Sequence, residues 1–191
     1  MKILNLYACL GGNRYKWNEV KSDIEVTAVE LDPECARLYQ ERFPNDKVIV
    51  ADAHQYLLDH YKEYDFIWSS PPCPTHSRLQ ISLKTKAKMK YPDMKLYDVL
   101  MPAKKRGRHL YWTNFNLPNI LSGIKNPDFT RIKNHIEVMS NYHNYDFNKY
   151  NGKQSKSKMS NNLVYFEDGK IIFETMLGIV NKQNINQTEL F

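Results

Sequence analysis

The sequence predicts an α/β protein built on a parallel sheet, and three observations support this. Four short apolar runs in the first 70 residues alternate with segments of helical spacing. Each run is followed by glycine, proline or an acidic residue, which end regular structure or cap the next helix. The chain has 191 residues and is 42% hydrophobic, enough for one buried core. Short apolar strands alternating with helices are typical of a sheet covered on both faces.

The elements follow in order along the chain. The predicted strands are residues 2–7, 25–31, 47–51 and 65–69. After the second strand, Asp32 can cap a helix that Pro33 opens and Pro44 ends. Residues 54–63 have the spacing of a second helix, and residues 109–112 that of a further strand.

Charge is unevenly distributed along the chain, although the net charge is only +6. Residues 1–77 carry 8 Lys and Arg against 12 Asp and Glu, whereas residues 78–158 carry 17 against 5. A basic middle segment indicates a polyanionic partner, and a solvated lysine surface is the alternative.

Composition also excludes several classes of protein. Cys9, Cys35 and Cys73 cannot form a disulfide framework, and none of them stands in a Cys-x-x-Cys pair, so we expect no metal site. The chain has no run of 18 apolar residues and no signal-peptide pattern, so we expect no membrane partner and a cytoplasmic location.

Ligands of parallel sheets bind beyond the carboxyl ends of the strands. The first predicted strand leads to Gly11 and Gly12, the second ends at Glu30, and the third is followed by Asp52. A carboxylate at the second strand suits a ribose diol, and one after the third suits the adenine amine. Either residue alone is better explained as a helix cap. Together they favour a nucleoside cofactor, and the absence of a P-loop lysine disfavours a nucleoside triphosphate.

A specific motif follows the fourth strand, in the sequence Pro-Pro-Cys-Pro-Thr-His-Ser at residues 71–77. With residues 5–12, Glu30-Leu31, Asp52-Ala53 and the Arg-Gly-Arg of residues 106–108, the chain resembles the DNA cytosine-5 methyltransferases. The resemblance covers residues 1–77 and again 102–118, with the motifs in the family's order. Pro-Pro-Cys by itself is more often a turn with a buried thiol.

The resemblance implies a Rossmann-like, S-adenosylmethionine-dependent fold with a small basic recognition segment. It makes Cys73 the nucleophile that attacks C6 of a flipped-out cytosine, with Arg108 contacting the base and Ser77 holding the loop or a phosphate. It implies these cofactor-binding residues: Tyr7, Ala8, Leu10, Gly11, Gly12, Glu30, Leu31, Asp52, Ala53, Pro72 and Asn162.

The chain departs from the family pattern in three places. No Glu is followed by Asn, so the Glu-Asn-Val motif of the family's fifth strand is missing. Only residues 78–105 separate Ser77 from the Arg-Gly-Arg motif, as if a strand had been lost, which would expose a sheet edge. Cys9 replaces a glycine, and Asn5 replaces an aspartate.

The C-terminal third is less regular. Residues 113–160 correspond by position to a target-recognition region, with Tyr142, Tyr145 and Tyr150 available for bases, whereas residues 148–160 also fit a poorly ordered loop. For residues 162–180, local chemistry gives a hairpin turning at residues 167–170. The family gives a cofactor motif at Asn162 and then a helix beginning near Lys170, which we prefer.

The predicted organisation has four parts. They are a catalytic domain at 1–112, a recognition segment at 113–160, a return to the catalytic domain at 161–186 and a tail at 187–191. The tail, Gln187–Phe191, resembles a peptide that binds the replication sliding clamp, with fraying as the alternative.

The sequence therefore predicts a DNA cytosine-5 methyltransferase that binds double-stranded DNA through residues 78–158. By resemblance, a bacterial or phage cytoplasm and a restriction-modification role fit. The alternatives are a tRNA cytosine-5 methyltransferase, a non-catalytic DNA-binding relative, and a site completed by a partner chain that supplies the missing strand.

Overall fold

A computed structural model describes residues 1–70, the backbone of residues 109–112, and residues 134–179. The described strands are β1 (Lys2–Leu6), β2 (Glu25–Glu30), β3 (Lys47–Val50), β4 (Phe66–Ser69) and β5 (His109–Trp112). They form one parallel sheet in the order β3-β2-β1-β4-β5. The α/β fold class and all five strands are confirmed, each strand within two residues of its predicted bounds.

The sheet places the carboxyl ends of its strands along one edge. In the register, Leu6 lies opposite both Val29 and Ser69, and Ser69 lies opposite Trp112. We expected the loss of a strand to expose a sheet edge. In the described part of the chain this edge is not β4, because β5 pairs with β4 over its whole length.

Helices connect the first four strands. They are α1 (Trp17–Val20), α2 (Pro33–Arg42) and α3 (Ala53–His60), which a 3₁₀ turn at Tyr61–Glu63 follows. Asp32 caps α2 as predicted, since its carboxylate accepts a hydrogen bond from the Glu34 N–H. Asp52 caps α3 in the same way through the Gln55 N–H.

Residues 134–179 pack on the same sheet as the N-terminal part. They contain α4 (His135–His143), a 3₁₀ turn at Phe147–Lys149, α5 (Lys156–Asn162) and α6 (Phe166–Met176). Met139, Phe147 and Met159 join Leu10 and Leu38 in one buried cluster. The loop alternative for residues 148–160 is therefore wrong, because this segment contains α5 and contributes to the core.

Two further expectations for this region need correction. The hairpin at residues 167–170 is wrong, and the helix begins at Phe166 rather than near Lys170. The acidic residues at 167 and 168 suit a first helical turn, and Phe173 packs between Trp17 and Phe66.

The tyrosines of the recognition segment are also used differently from the expectation. Tyr150 is buried, and its hydroxyl donates to the Asp32 carboxylate at 2.8 Å. The Tyr145 ring packs against the Arg42 guanidinium. Tyr150 is therefore part of the core and cannot contact bases, whereas Tyr145 is half-buried. The division of the chain into four parts stays a prediction.

Among the described helices, none has both the length and the apolar character that crossing a bilayer requires.

Candidate functional site

The loop after β1 has an unusual backbone that turns it across the sheet edge. Tyr7, Cys9 and Gly11 have φ angles of 55°, 49° and 69°. This left-handed region favours glycine, and a Cβ atom there carries a steric cost. Cys9 thus occupies a position where the family's glycine would be relaxed, and its side chain packs against the buried cluster around Leu10.

Glu30 ties this loop to the start of α2. One carboxylate oxygen accepts the Cys9 N–H at 2.8 Å, and the other accepts the Asp32 N–H at 3.0 Å. Each carboxylate oxygen can accept a second hydrogen bond, so Glu30 keeps capacity for a ligand hydroxyl. The side chain is half-buried at the carboxyl end of β2.

Exposed side chains flank Glu30 along the edge. Leu31 is 67% exposed, and Asp52 is exposed beyond β3, although one of its oxygens caps α3. The cap interpretation of Asp52 is therefore correct, and its second oxygen is not used in that cap. An apolar side chain between two carboxylates suits a nucleoside, whose base is apolar on its faces and whose hydroxyls and amine are donors.

The predicted cofactor residues divide into two sets in the described structure. Those with accessible or half-buried side chains are Tyr7, Glu30, Leu31, Asp52 and Asn162. Those buried in the core or packed under the loop are Ala8, Leu10, Gly11, Gly12 and Ala53. The second set can reach a ligand through backbone atoms only, and all these contacts stay predictions.

Residues of the C-terminal part pack against the loop after β1. The family resemblance predicted that the chain returns to the catalytic domain after residue 161. A Cβ atom on Gly12 would lie 2.1 Å from the Val164 carbonyl oxygen and 2.8 Å from Leu163. A Cβ atom on Gly169 would lie 2.3 Å from the Asn13 carbonyl oxygen. The return of the chain to the glycine loop is thus present in the structure, and Asn162 is exposed at the end of α5 beside this contact.

Arg42 supports the loop from below and was not among the residues that the sequence singled out. Its guanidinium donates to the Leu10 carbonyl oxygen at 3.0 Å and packs against the rings of Tyr15 and Tyr145. Burial lowers the pKa of Arg42. The only sequence signal was a basic residue in the last turn of α2, where a helix-dipole role is the ordinary interpretation.

Two thiols meet beneath the loop. The Cys35 thiol, in the first turn of α2, interacts with Cys9, and this hydrogen bond together with burial raises the pKa of Cys35. Both cysteines are free. Cys35 is therefore a poor nucleophile and has a packing role here.

The predicted catalytic residues Cys73, Ser77 and Arg108, like Pro72, lie outside the described residues, and their roles stay predictions. The described strands fix where the chain enters and leaves this region. β4 ends at Ser69, at the same edge as Glu30, and β5 begins at His109, opposite Phe66. Cys73 therefore follows a strand at its carboxyl end, whereas Arg108 precedes one at its amino end.

The fold and this edge together define a class of protein. A parallel sheet in this order, with a left-handed loop after β1 and carboxylates after β2 and β3, is a Rossmann-like fold of the kind that binds a nucleoside cofactor. The sequence model of the C-5 cytosine-specific DNA methylases matches residues 1–96, half of the chain. The chain belongs to this family, whose cofactor is S-adenosylmethionine.

Comparison with solved structures finds similar chains. A mutant of Spodoptera frugiperda DNMT2 is 27% identical, with 52% of this chain and 31% of that chain covered at a TM-score of 0.39. Entamoeba histolytica methyltransferase EhMeth is 14% identical, with 43% and 27% covered at a TM-score of 0.33. The plantazolicin methyltransferase BpumL in complex with SAH is 11% identical, with 95% and 56% covered at a TM-score of 0.38.

The chain spans about a third of the length of the first two of these structures. No curated protein matches the chain significantly.

Proposed function

We propose that the chain is a DNA cytosine-5 methyltransferase that transfers a methyl group from S-adenosylmethionine to C5 of cytosine through a covalent Cys73 adduct. The observation that supports this most is the coincidence of the family match over residues 1–96 with a carboxyl edge that carries Glu30, Leu31 and Asp52.

The described residues fit S-adenosylmethionine. Glu30 has acceptor capacity for the ribose hydroxyls, and Leu31 offers an exposed apolar contact for adenine. Asp52 can accept the exocyclic amine with the oxygen that does not cap α3. The left-handed backbone at Tyr7, Cys9 and Gly11 brings main-chain groups to the edge, where they can approach the rest of the cofactor.

S-adenosylmethionine supplies an electrophilic methyl group on a sulfonium centre. Cytosine C5 is a weak nucleophile until a thiolate adds to C6, so we assign that addition to Cys73. Loss of the C5 proton after methylation then expels the thiolate and restores the ring. Positive charge near Cys73 favours its thiolate. The resemblance gives the contact with the base to Arg108, but Arg108 precedes β5 at its amino end, away from the edge that Cys73 follows. We therefore assign the charge beside Cys73 to other residues of the basic segment 78–158.

For the substrate we propose double-stranded DNA, held through the basic segment of residues 78–158. Ser77 would hold the catalytic loop or a backbone phosphate, and the target base must leave the duplex to expose C6. A tRNA cytosine is the second candidate, since it requires the same cofactor and the same attack on C6.

The test is methyl transfer with labelled S-adenosylmethionine. Unmethylated DNA and unmodified tRNA are incubated separately with the protein, digested to nucleosides and scored for 5-methylcytosine. A duplex with 5-fluorocytosine tests the adduct, because fluorine cannot leave as a proton does and the protein stays attached. We expect label in DNA and an adduct that survives denaturation.

Two variants make the result specific. Cys73→Ala should abolish both the label and the adduct, whereas Cys35→Ala, which removes a buried thiol, should retain both. Label in tRNA alone would replace DNA by RNA as the substrate. Binding of S-adenosylhomocysteine without label in either nucleic acid would refute catalysis and favour a non-catalytic relative.

A further inference from the structure

A continuous chain of buried hydrogen bonds lies directly beneath the loop after β1. The Asn13 side-chain amide donates to the side-chain oxygen of Asn5 at 2.9 Å, and the side-chain amide of Asn5 donates to the Tyr39 hydroxyl at 3.5 Å. The Tyr39 hydroxyl donates to Asp46 at 2.9 Å. Arg14 closes the chain with two bonds to the Asp46 carboxylate, at 2.9 and 3.0 Å.

Each member has a fixed direction of hydrogen bonding. Burial, together with the neighbouring Asp46 carboxylate, raises the pKa of Tyr39, so its hydroxyl keeps its single proton and gives it to Asp46. The Tyr39 oxygen therefore needs a donor on its other side. Asparagine at position 5 has both an amide donor for Tyr39 and a carbonyl acceptor for Asn13, whereas an ionised aspartate has acceptors only.

The same chain determines the shape of the loop. It joins β1, through Asn5, to the loop's far end at Asn13 and Arg14, so both ends of the left-handed segment are fixed. The Tyr39 ring also supports the loop directly, since a Cβ atom on Gly11 would lie 2.8 Å from it. All members are buried, and exchange of any one bond for water would require the loop to open.

We propose that Asn5, Tyr39 and Asp46 are positioning residues that hold residues 7–14 in the cofactor-binding conformation, and that this requires asparagine at position 5. The proposal rests on the proposed function in one respect, that this loop receives S-adenosylmethionine. The proposal explains why Asn5 replaces the family's aspartate. A neutral donor at position 5 serves the Tyr39 hydroxyl and leaves the Arg14–Asp46 ion pair without a second negative charge beside it.

The test compares Tyr39→Phe and Asn5→Asp with Tyr56→Phe. Tyr39→Phe keeps the ring under Gly11 and removes only the hydroxyl. Tyr56→Phe removes a partly buried hydroxyl of α3 that pairs with the Tyr64 hydroxyl, just before β4, and serves as the matched control. Hydrogen–deuterium exchange of residues 8–14 and of β3, and S-adenosylhomocysteine affinity, are measured at a temperature where all variants are folded.

We expect Tyr39→Phe and Asn5→Asp to speed exchange in residues 8–14 and to weaken S-adenosylhomocysteine binding, each by about tenfold, the effect of one lost hydrogen bond of ordinary strength. Exchange in β3 should stay within about twofold, as should all values of the control. A merely structural role would change exchange in β3 equally.

Unchanged exchange of residues 8–14 in both variants would overturn the proposal. If Tyr39→Phe does not fold, Asn5→Asp, which is isosteric, decides alone. If the wild-type protein does not bind S-adenosylhomocysteine, the proposed function fails, while the exchange of the loop still decides whether these residues position it.

Discussion

Replacement of Asp46 by asparagine tests how much the buried charge pair under the loop contributes to stability. Asp46 and Arg14 have side-chain exposures of 5% and 6%. In Asp46→Asn, the guanidinium stays buried opposite a neutral amide. The Asp46 carboxylate accepts three hydrogen bonds, and two of them, from Arg14 and Tyr39, go to the same oxygen. Both are lost if the amide nitrogen takes the place of that oxygen, because the nitrogen cannot accept.

Removal of one partner from a buried ion pair costs about 3–5 kcal/mol. The neutral amide retains part of the bonding, so we expect a loss of about 3 kcal/mol in the free energy of unfolding, or roughly 6–12 °C in the melting temperature for a chain of this size. Urea titration followed by circular dichroism measures it.

The matched control for Asp46→Asn is Asp23→Asn, in which the pair with Lys21 is exposed. The Asp23 side chain is 74% exposed, and such pairs contribute little. The control should stay close to wild type. Losses of similar size in the two variants, or a loss below about 1 kcal/mol in Asp46→Asn, would refute the argument that burial makes the Arg14–Asp46 pair indispensable.

Three other outcomes follow from packing, backbone conformation and charge. Gly12→Ala should lose at least about 2 kcal/mol in urea titration, because its methyl group meets the Val164 carbonyl oxygen, whereas Gly178→Ala, with nothing within 4 Å, should lose about half as much. Cys9→Val should lose about 1–2 kcal/mol, since a branched side chain fits poorly at a φ of 49°, and Cys9→Gly should change stability by less than about 0.5 kcal/mol. Burial lowers the pKa of His143 to about 3, so on acidification the unfolded chain binds a proton at this histidine before the folded chain does. The free energy of unfolding should therefore fall as pH drops below about 6.5, by up to ~1.4 kcal/mol per pH unit. A His143→Gln variant with an equally steep pH dependence would contradict that assignment.

Local signals were sufficient for the N-terminal half of the fold. The strands follow from short apolar runs, and Asp32 with Pro33 defined the start of α2, because capping depends on neighbours in the sequence. The hairpin predicted at residues 167–170 is wrong because it was also inferred from local sequence alone. A helix over these residues lets Phe173 pack against Trp17, a distant contact that no local pattern reveals.

Only those residues of the candidate site that follow the strand ends could be predicted from the sequence. Glu30 and Asp52 could be found because parallel strands bring their ends together. The groups that hold the loop could not be found, since Val164 and Arg42 reach it from distant elements and carry no motif of their own. Tyr150 was misassigned to bases, because the sequence of a basic segment does not distinguish an aromatic residue that stacks on a nucleobase from one that packs in the core.

The topology gives the missing motif a specific consequence for the chemistry. By resemblance, the family's fifth strand carries Glu-Asn-Val, and the fifth strand of this sheet, His109–Trp112, contains no carboxylate. It pairs in parallel with β4, so the sheet is extended beside β4 while the acid of that motif is absent from its strand. Catalysis by Cys73 would then proceed either without this acid or with another proton donor for cytosine. Methyl transfer to DNA that disappears in Cys73→Ala would show that the glutamate of this motif is dispensable or replaced by another residue.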